Sequence, residues 1–403
     1  MFNNNNSFEE LDIEKEDDYN VSFEIKNWDE LELKDNLLRG IYSYGYEKPS
    51  PIQCKAIKPI IMGKDIIAQA QSGTGKTAAF TIGALSILDL KCLETQVLII
   101  SPTRELSIQT GKVISGIGSI MNGLRVQTVF GGSSYEDEYD SSFNKIKPHI
   151  ITGCPGRILD MIRREKLNAN KIKLVILDEA DELLSIGFKE QIYSIFQSFN
   201  NQIQVALFTA TLPSNIDCII EKIMKDPIKI FVKAERLTLE GISQYFVAVQ
   251  DDTQKYATLK DLYSFISMSQ CIIYCNSVKR VSELYDAMFE DGFPVCCIHS
   301  NMDSQLRMNA FNEFKSGKYR VLISSNITSR GIDIQQVSTV INFDIPKCVH
   351  NYIHRIGRSG RWGRKGVGIN FITKRDVLKL KEIEEHYSCQ INELPANFNN
   401  LCK

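Results

Sequence analysis

Two consecutive series of short apolar runs, each run separated from the next by a longer amphipathic stretch, restrict what this chain can fold into more than any single motif does. The first series begins after Trp28 and comprises DIIAQA, QVLIISP, PHIITG, KLVILDE and QVALFTAT. Runs that are β-branched and apolar at consecutive positions belong to strands covered on both faces, and such strands with helices between them form a parallel sheet. After Lys233 the rhythm restarts with QCIIYCN, PVCCIHS, YRVLISSN, STVINFDI and GVGINFIT, which predicts a second sheet of the same kind. Between the series KAERLTLEGI, Lys233 to Ile242, is polar and suits a linker that bends. The expected division is a disordered acidic tail at 1–20 (NNNN, then EELDIEKEDD), a first domain at 21–232, a linker at 233–242 and a second domain at 243–403.

Composition narrows the function classes. Hydrophobic residues at 43% and charged residues at 24% describe a soluble globular protein able to fill two cores. A formal net charge of −2 gives no global basic signal, so contact with nucleic acid has to come from local patches. The eleven cysteines form no CxxC pair, which points to free thiols in a reducing compartment, cytoplasmic or nuclear. Cys271 and Cys275 share one face of QCIIYC and read as small buried hydrophobes rather than metal ligands, as do Cys296 and Cys297. No apolar run approaches the roughly twenty residues of a membrane helix.

AQSGTGKT, Ala70 to Thr77, stands between the strand DIIAQA and a helical stretch. That context makes it a phosphate loop, although Ala70 occupies the first glycine of the general pattern. Ser72, Gly73, Thr74 and Gly75 let backbone N–H groups turn toward a phosphate; Lys76 offers a point charge and Thr77 a hydroxyl for Mg²⁺. KLVILDEADELL then ends a buried strand with four carboxylates in five positions. Asp178, first out of the apolar run, is placed to hold the metal with Thr77, largely through water, and Glu179 to orient or deprotonate the attacking water. Asp181 is expected to link to other motifs and Glu182 to face solvent.

AQSGTGKT, PTREL, DEAD and HRIGRSGR, in this order, resemble the motifs of the DEAD-box ATP-dependent RNA helicases over nearly everything from Trp28 onward. YGYEKPSPIQ, YIHRIGRSGRWGRKG and INELPANFNNL are most similar to the initiation-factor-four-A branch, which includes the exon-junction core helicase. The resemblance implies two tandem RecA-like domains, each a parallel β-sheet flanked by helices, that close on ATP and RNA together. It implies adenine reading by Gln53 with stacking by Tyr46; for Trp28, a nucleotide contact and a core aromatic stay open. It implies Arg358 and Arg361 as arginine fingers, His354 as their link to the first domain, Asp333 on the ribose, and Asp181, Thr209 and Thr211 as the coupling set. Arg364 and Lys365 read as a solvated basic end.

On the RNA side the resemblance implies contacts from Pro102, Thr103, Arg104, Gly132, Gly156, Arg157, Asn276, Arg307 and Ser325. Loops with backbone N–H groups, hydroxyls and arginines suit a sugar-phosphate backbone without sequence preference. Departures gather here: Cys154 stands for Thr, Ser304 for Gln, Ser325 for Thr and Asn326 for Asp, while Thr209 for Ser keeps its hydroxyl. An altered RNA grip beside a complete ATP machinery is the expectation. The implied function is a monomeric ATP-dependent RNA helicase of the translation-initiation kind that opens short duplexes, with ATP and Mg²⁺ as cofactors. A slowly turning RNA clamp that serves as a platform for protein partners is the alternative; a DNA translocase is disfavoured by the adenine-reading motif.

Overall fold

The computed structural model describes residues 24–71, 73–131, 147–185, 187–199, 203–212, 217–231, 241–266, 269–329, 337–359 and 366–395. The tail, most of the expected linker, and the site candidates Ser72, Gly132, Asp333 and Arg361 lie outside these residues.

The first seven strands are β1 (Ile66–Gln69), β2 (Val97–Ile100), β3 (Val126–Val129), β4 (Ile150–Gly153), β5 (Leu174–Asp178), β6 (Gln204–Thr209) and β7 (Ile228–Phe231). They form one parallel sheet in the order β3-β4-β2-β5-β6-β1-β7. The second sheet uses β8 (Ile242–Ala248), β9 (Gln270–Tyr274), β10 (Val295–Ile298), β11 (Val321–Ser324), β12 (Val337–Asn342), β13 (Gly366–Ile372) and β14 (Asn392–Glu393). Its order is β10-β11-β9-β12-β13-β8-β14. Successive residues of each central strand enter opposite cores: Ile66, Val97 and Leu174 pack on one face, Ile67, Leu98 and Val175 on the other. This is why the runs are apolar without alternation. Cys271 and Cys275 join Ile273 in one core of the second sheet, so they are packing groups.

Strand order positions the chemistry. β5, β6 and β1 are neighbours, with Asp178 beside Phe208 and Gln69 beside Thr209. The phosphate loop, the acidic segment and Thr209–Thr211 therefore leave the same edge, the carboxyl end where open α/β sheets bind ligands. In the second sheet Ser324, Tyr274 and Asn342 lie in register on β11, β9 and β12, so Ser325–Asn326, Asn276 and Asp344 also emerge together. Among the described residues no helix is long and apolar enough to cross a membrane.

Candidate active site across the two domains

The phosphate loop is built by glycine. Gly73 and Gly75 turn the chain at φ of 82° and 97°, left-handed values that cost an L-residue roughly 1–2 kcal/mol. A Cβ on Gly75 would stand 2.5 Å from Gln53 Nε2, so a side chain there would meet the strained angle and would also displace the Gln53 amide. Gly75 caps the helix Lys76–Ser86, whose first N–H groups have no intrahelical partner and face an anion site. Lys76 is buried and its Nζ donates to the Ala70 carbonyl over 2.7 Å. Thr74 Oγ1 donates to the Gln71 carbonyl, also at 2.7 Å. Thr77, next along the helix, is half-buried.

Gln53 braces this loop. Its Oε1 accepts from the Ser50 N–H (2.8 Å) and its Nε2 donates to the Gly75 carbonyl (3.2 Å). Both ends of the amide are therefore engaged by the protein in this arrangement. Tyr46 is half-buried, tilted against Tyr44 with ring centroids 5.5 Å apart. Trp28 is fully buried, and its Nε1 donates to the Tyr46 carbonyl over 3.0 Å. In this arrangement Trp28 is a core aromatic that fixes the backbone of Tyr46.

Asp178 ends β5 almost wholly buried, with Oδ1 accepting from the Glu179 N–H at 3.0 Å. Its Oδ2 and Glu179 Oε2 are buried without hydrogen-bond partners. Burial, then the charge of Glu179, pushes the Asp178 carboxyl up to about 7. A buried carboxylate oxygen lacking a donor is costly unless a cation meets it, so the residues present fit a divalent ion held through water. No group of three or more acids, His or Cys among the described residues forms a closed metal cage, consistent with the few protein ligands that Mg²⁺ takes beside a nucleotide. Glu179 holds a left-handed φ of 52°, strain of the kind kept at functional sites.

Asp181 receives the second domain. Thr209 Oγ1 donates to its Oδ1 (3.1 Å) and Thr211 Oγ1 to its Oδ2 (2.8 Å). His354 Nε2 approaches the same Oδ2 at 3.3 Å, with both side chains buried. His354 lies on the helix Val349–Ile356, and Arg358, buried one turn later, donates from Nε to the His354 carbonyl over 3.2 Å. The contact to the acidic segment and the finger candidate thus travel on one short rod.

A second inter-domain contact lies on the RNA side: Arg307 Nε is 2.7 Å from Glu105 Oε1. Arg307, expected on RNA, is occupied by an acid of the PTREL helix that the sequence did not single out. Arg104 beside it covers the Phe130 ring at 4.8 Å and donates to the Gly131 carbonyl, while its Nε and Nη1 have no partner. Burial, then the charge of Arg307, lowers its pKa. Pro102 is buried, and Thr103 caps the helix Arg104–Ile117 through the Leu106 N–H. Gly156 is exposed, and Arg157 lies 3.6 Å from Asp160. Asn276, another expected RNA contact, has its side-chain amide tied inside the second domain: Nδ2 donates to the Ile345 carbonyl (2.8 Å) and Oδ1 accepts from Arg355 (2.8 Å).

A DEAD/DEAH box helicase model matches residues 50–219, and a helicase conserved C-terminal domain model matches residues 254–363. The chain belongs to the DEAD-box RNA helicases. It is 47% identical over 403 residues to the ATP-dependent RNA helicase FAL1 of Saccharomyces cerevisiae, covering 97% of this chain and 100% of that one. Against eukaryotic initiation factor 4A of Caenorhabditis elegans it is 48% identical over 377 residues, covering 94% and 93%. Yeast Dbp5 bound to RNA and ADP BeF3 superposes with a TM-score of 0.85 at 32% identity, covering 92% of this chain and 95% of that one. A Dbp5 variant bound to Nup159, a Gle1 variant, IP6 and ADP scores 0.62. The two RecA-like domains thus stand in the mutual arrangement of the RNA-bound relative.

Within this DEAD-box helicase the departures take on definite roles. Cys154 caps the helix Pro155–Arg163 without a side-chain bond to the helix N–H groups, and its Sγ instead shares a hydrogen bond with Ser107 Oγ at 3.8 Å. Its thiol is pushed up to about 11 by burial. The side chain of Ser304 lies outside the described structure. Ser325 is half-buried, its N–H 3.4 Å from the Ile298 carbonyl. Asn326 turns its oxygen inward onto Arg355.

Proposed function

We infer that the chain is an ATP-dependent RNA helicase that hydrolyses ATP when an RNA strand holds its two domains together, and that this cycle opens short duplexes locally. The contact of His354 with Asp181, in a carboxylate already held by Thr209 and Thr211, carries the reading. A site whose parts come from two domains is complete only when they meet, which makes hydrolysis conditional on closure.

The roles follow from the chemistry of each group. Lys76 and the N–H groups from Gly73 to Thr77 hold the phosphates, and Gln53 with Tyr46 holds the loop and the base-facing segment. Thr77 and Asp178 would hold Mg²⁺, which when bound would supply charge neutralisation to the phosphates. Glu179 orients the attacking water and accepts its proton. Arg358 and Arg361 stabilise charge on the transferring phosphoryl oxygens, an effect worth roughly 10³–10⁵ in rate, and Asp333 meets the ribose. The partnerless Nε and Nη1 of Arg104 support a phosphodiester contact, joined by the backbone N–H groups of Gly131–Gly132 and Gly156–Arg157. Every proposed group belongs to one chain, which supports a monomer. Likeness to initiation factor 4A supports work on translated RNAs in cytoplasm or nucleus.

Steady-state hydrolysis of Mg-ATP with and without single-stranded RNA tests this. RNA should stimulate turnover severalfold, and Arg358→Ala should abolish the stimulated rate while ATP still binds. A rate indifferent to RNA would overturn the reading.

A further inference from the structure

Arg355, between His354 and the finger candidate, is fully buried. Its guanidinium donates Nε and Nη2 to Asn326 Oδ1 (2.8 and 2.6 Å), Nη2 to Asn276 Oδ1 (2.8 Å), and Nη1 to Asn342 Oδ1 (3.1 Å) and the Asp344 carbonyl (2.8 Å). It lies over the Tyr274 ring at 5.2 Å. The Asp344 carboxylate is drawn to other cations, Arg280 at 3.1 Å and Lys255 at 3.5 Å. Neutral oxygens from three neighbouring strand ends therefore hold this cation, and the Asp344 carboxylate acts on it only at a distance. Burial lowers its pKa only to about 10, so it stays protonated at neutral pH.

A guanidinium has donors and no acceptor, so the Asn326 amide has one allowed orientation: oxygen toward Arg355, Nδ2 away from it. Asn326 is itself exposed. Its outward N–H₂ therefore stands in solvent on the loop after β11. The Ser325 N–H meets the Ile298 carbonyl at the end of β10, and the helix after β10 carries Arg307 to Glu105, beside Arg104.

We propose that Asn326 is a strand-binding residue: its outward amide donates to a phosphodiester oxygen while its inward oxygen anchors Arg355, whose charge, bonded to no carboxylate, adds attraction from behind. This rests on the reading of the chain as an RNA helicase. An aspartate at this position would neutralise Arg355 and present a negative oxygen where the amide presents a donor. The neutral residue thus strengthens the hold on phosphate, partly offsetting the hydroxyl lost at Cys154.

The test compares the full chain with Asn326→Asp, using a fluorescent oligouridylate and a non-hydrolysable ATP analogue with Mg²⁺. Affinity should fall about tenfold, the size of one charge-assisted hydrogen bond, and the deficit should shrink at high salt. The thermal midpoint should hold or rise, because the new carboxylate meets a buried cation. Unchanged or tighter binding overturns the proposal, and so does a loss of binding that tracks a fall in the midpoint, which would mark a structural role. Failure of the unsubstituted chain to bind the oligonucleotide would instead overturn the helicase reading, and this inference with it.

Discussion

Glu105 Oε1 and Arg307 Nε meet at 2.7 Å across the two domains, with side chains 5% and 11% exposed. Separation of the domains would return both charges to water, so the pair contributes to closure rather than to the folding of either half. Removing one partner of a buried pair costs on the order of 3–5 kcal/mol, and here that cost falls on the closed state. Glu105→Gln should lower RNA affinity in the presence of an ATP analogue by at least about tenfold. The unfolding midpoint of the nucleotide-free chain should not move. RNA titration and a melting curve check the two halves of this statement, and a lowered midpoint with intact affinity would contradict it.

His354→Ala removes the imidazole from Asp181 while leaving the Thr209 and Thr211 hydroxyls on that carboxylate. Nucleotide binding belongs to the first domain and should persist, with KM for ATP changing by less than about twofold. The RNA-stimulated kcat should fall by roughly 10–100-fold, the pattern of an interaction made only in the assembled state. Asp181→Asn should give the same split in weaker form, since an amide still accepts from one hydroxyl. Loss of ATP affinity in either variant would place the contact in the binding step instead.

How far the sequence foretold these arrangements depends on what each residue faces. Strands such as β5 and β9 are covered on both sides, and their consecutive apolar residues announce them. β3 and β7 escaped notice because they lie at the sheet's edges and are incompletely buried, so VQTV and IKIF mix polar with apolar residues instead of running apolar throughout. β8 begins at Ile242, the last residue given to the linker. Lys76, Asp178 and the Asp181–Thr209–Thr211 set were legible because their spacing and flanking strands carry the chemistry. Arg355 was not, because a charge between His354 and Arg358 reads as solvated. The available signal was helical spacing, since Tyr352, Arg355 and Ile356 share the buried face of one short helix. Gln53 and Asn276 show the complementary limit: sequence identifies an amide but not which partners saturate it.

Gly75→Ala should test the phosphate loop through its geometry. The residue sits at φ 97°, and an added Cβ would stand 2.5 Å from Gln53 Nε2 and 3.0 Å from Ser50 Oγ. Left-handed strain of about 1–2 kcal/mol adds to displacement of the Gln53 brace. A domain of this size loses about 2–4 °C per kcal/mol. The midpoint should therefore drop by a few degrees and ATP affinity by at least about tenfold, read by melting and by nucleotide titration. An affinity unchanged from that of the native chain would show that the loop tolerates a side chain there.

Asp178 gives the chain a pH dependence of defined sign. Its carboxyl is raised to about 7 in the folded state, chiefly by burial and then by Glu179, against about 3.9 in an unfolded chain. Between roughly pH 4 and pH 7 the folded form holds a proton that the unfolded form has released, so this group's contribution to stability declines as pH rises through that window. Above it, an ionised and partnerless Oδ2 opposes folding in the nucleotide-free chain. Asn at this position cannot ionise. Asp178→Asn should therefore raise the nucleotide-free midpoint at about pH 8 by a few degrees and change it little near pH 4, where both side chains are neutral. Hydrolysis should fall at least ~100-fold, because charge neutralisation by a metal on the phosphoryl oxygens is worth several kcal/mol. Mg-ATP should stabilise the native chain more than the variant, since a cation favours the ionised carboxylate. Melting curves across pH with and without Mg-ATP decide it: a variant less stable than the native chain at about pH 8 would mean that Asp178 serves the fold before it serves the metal.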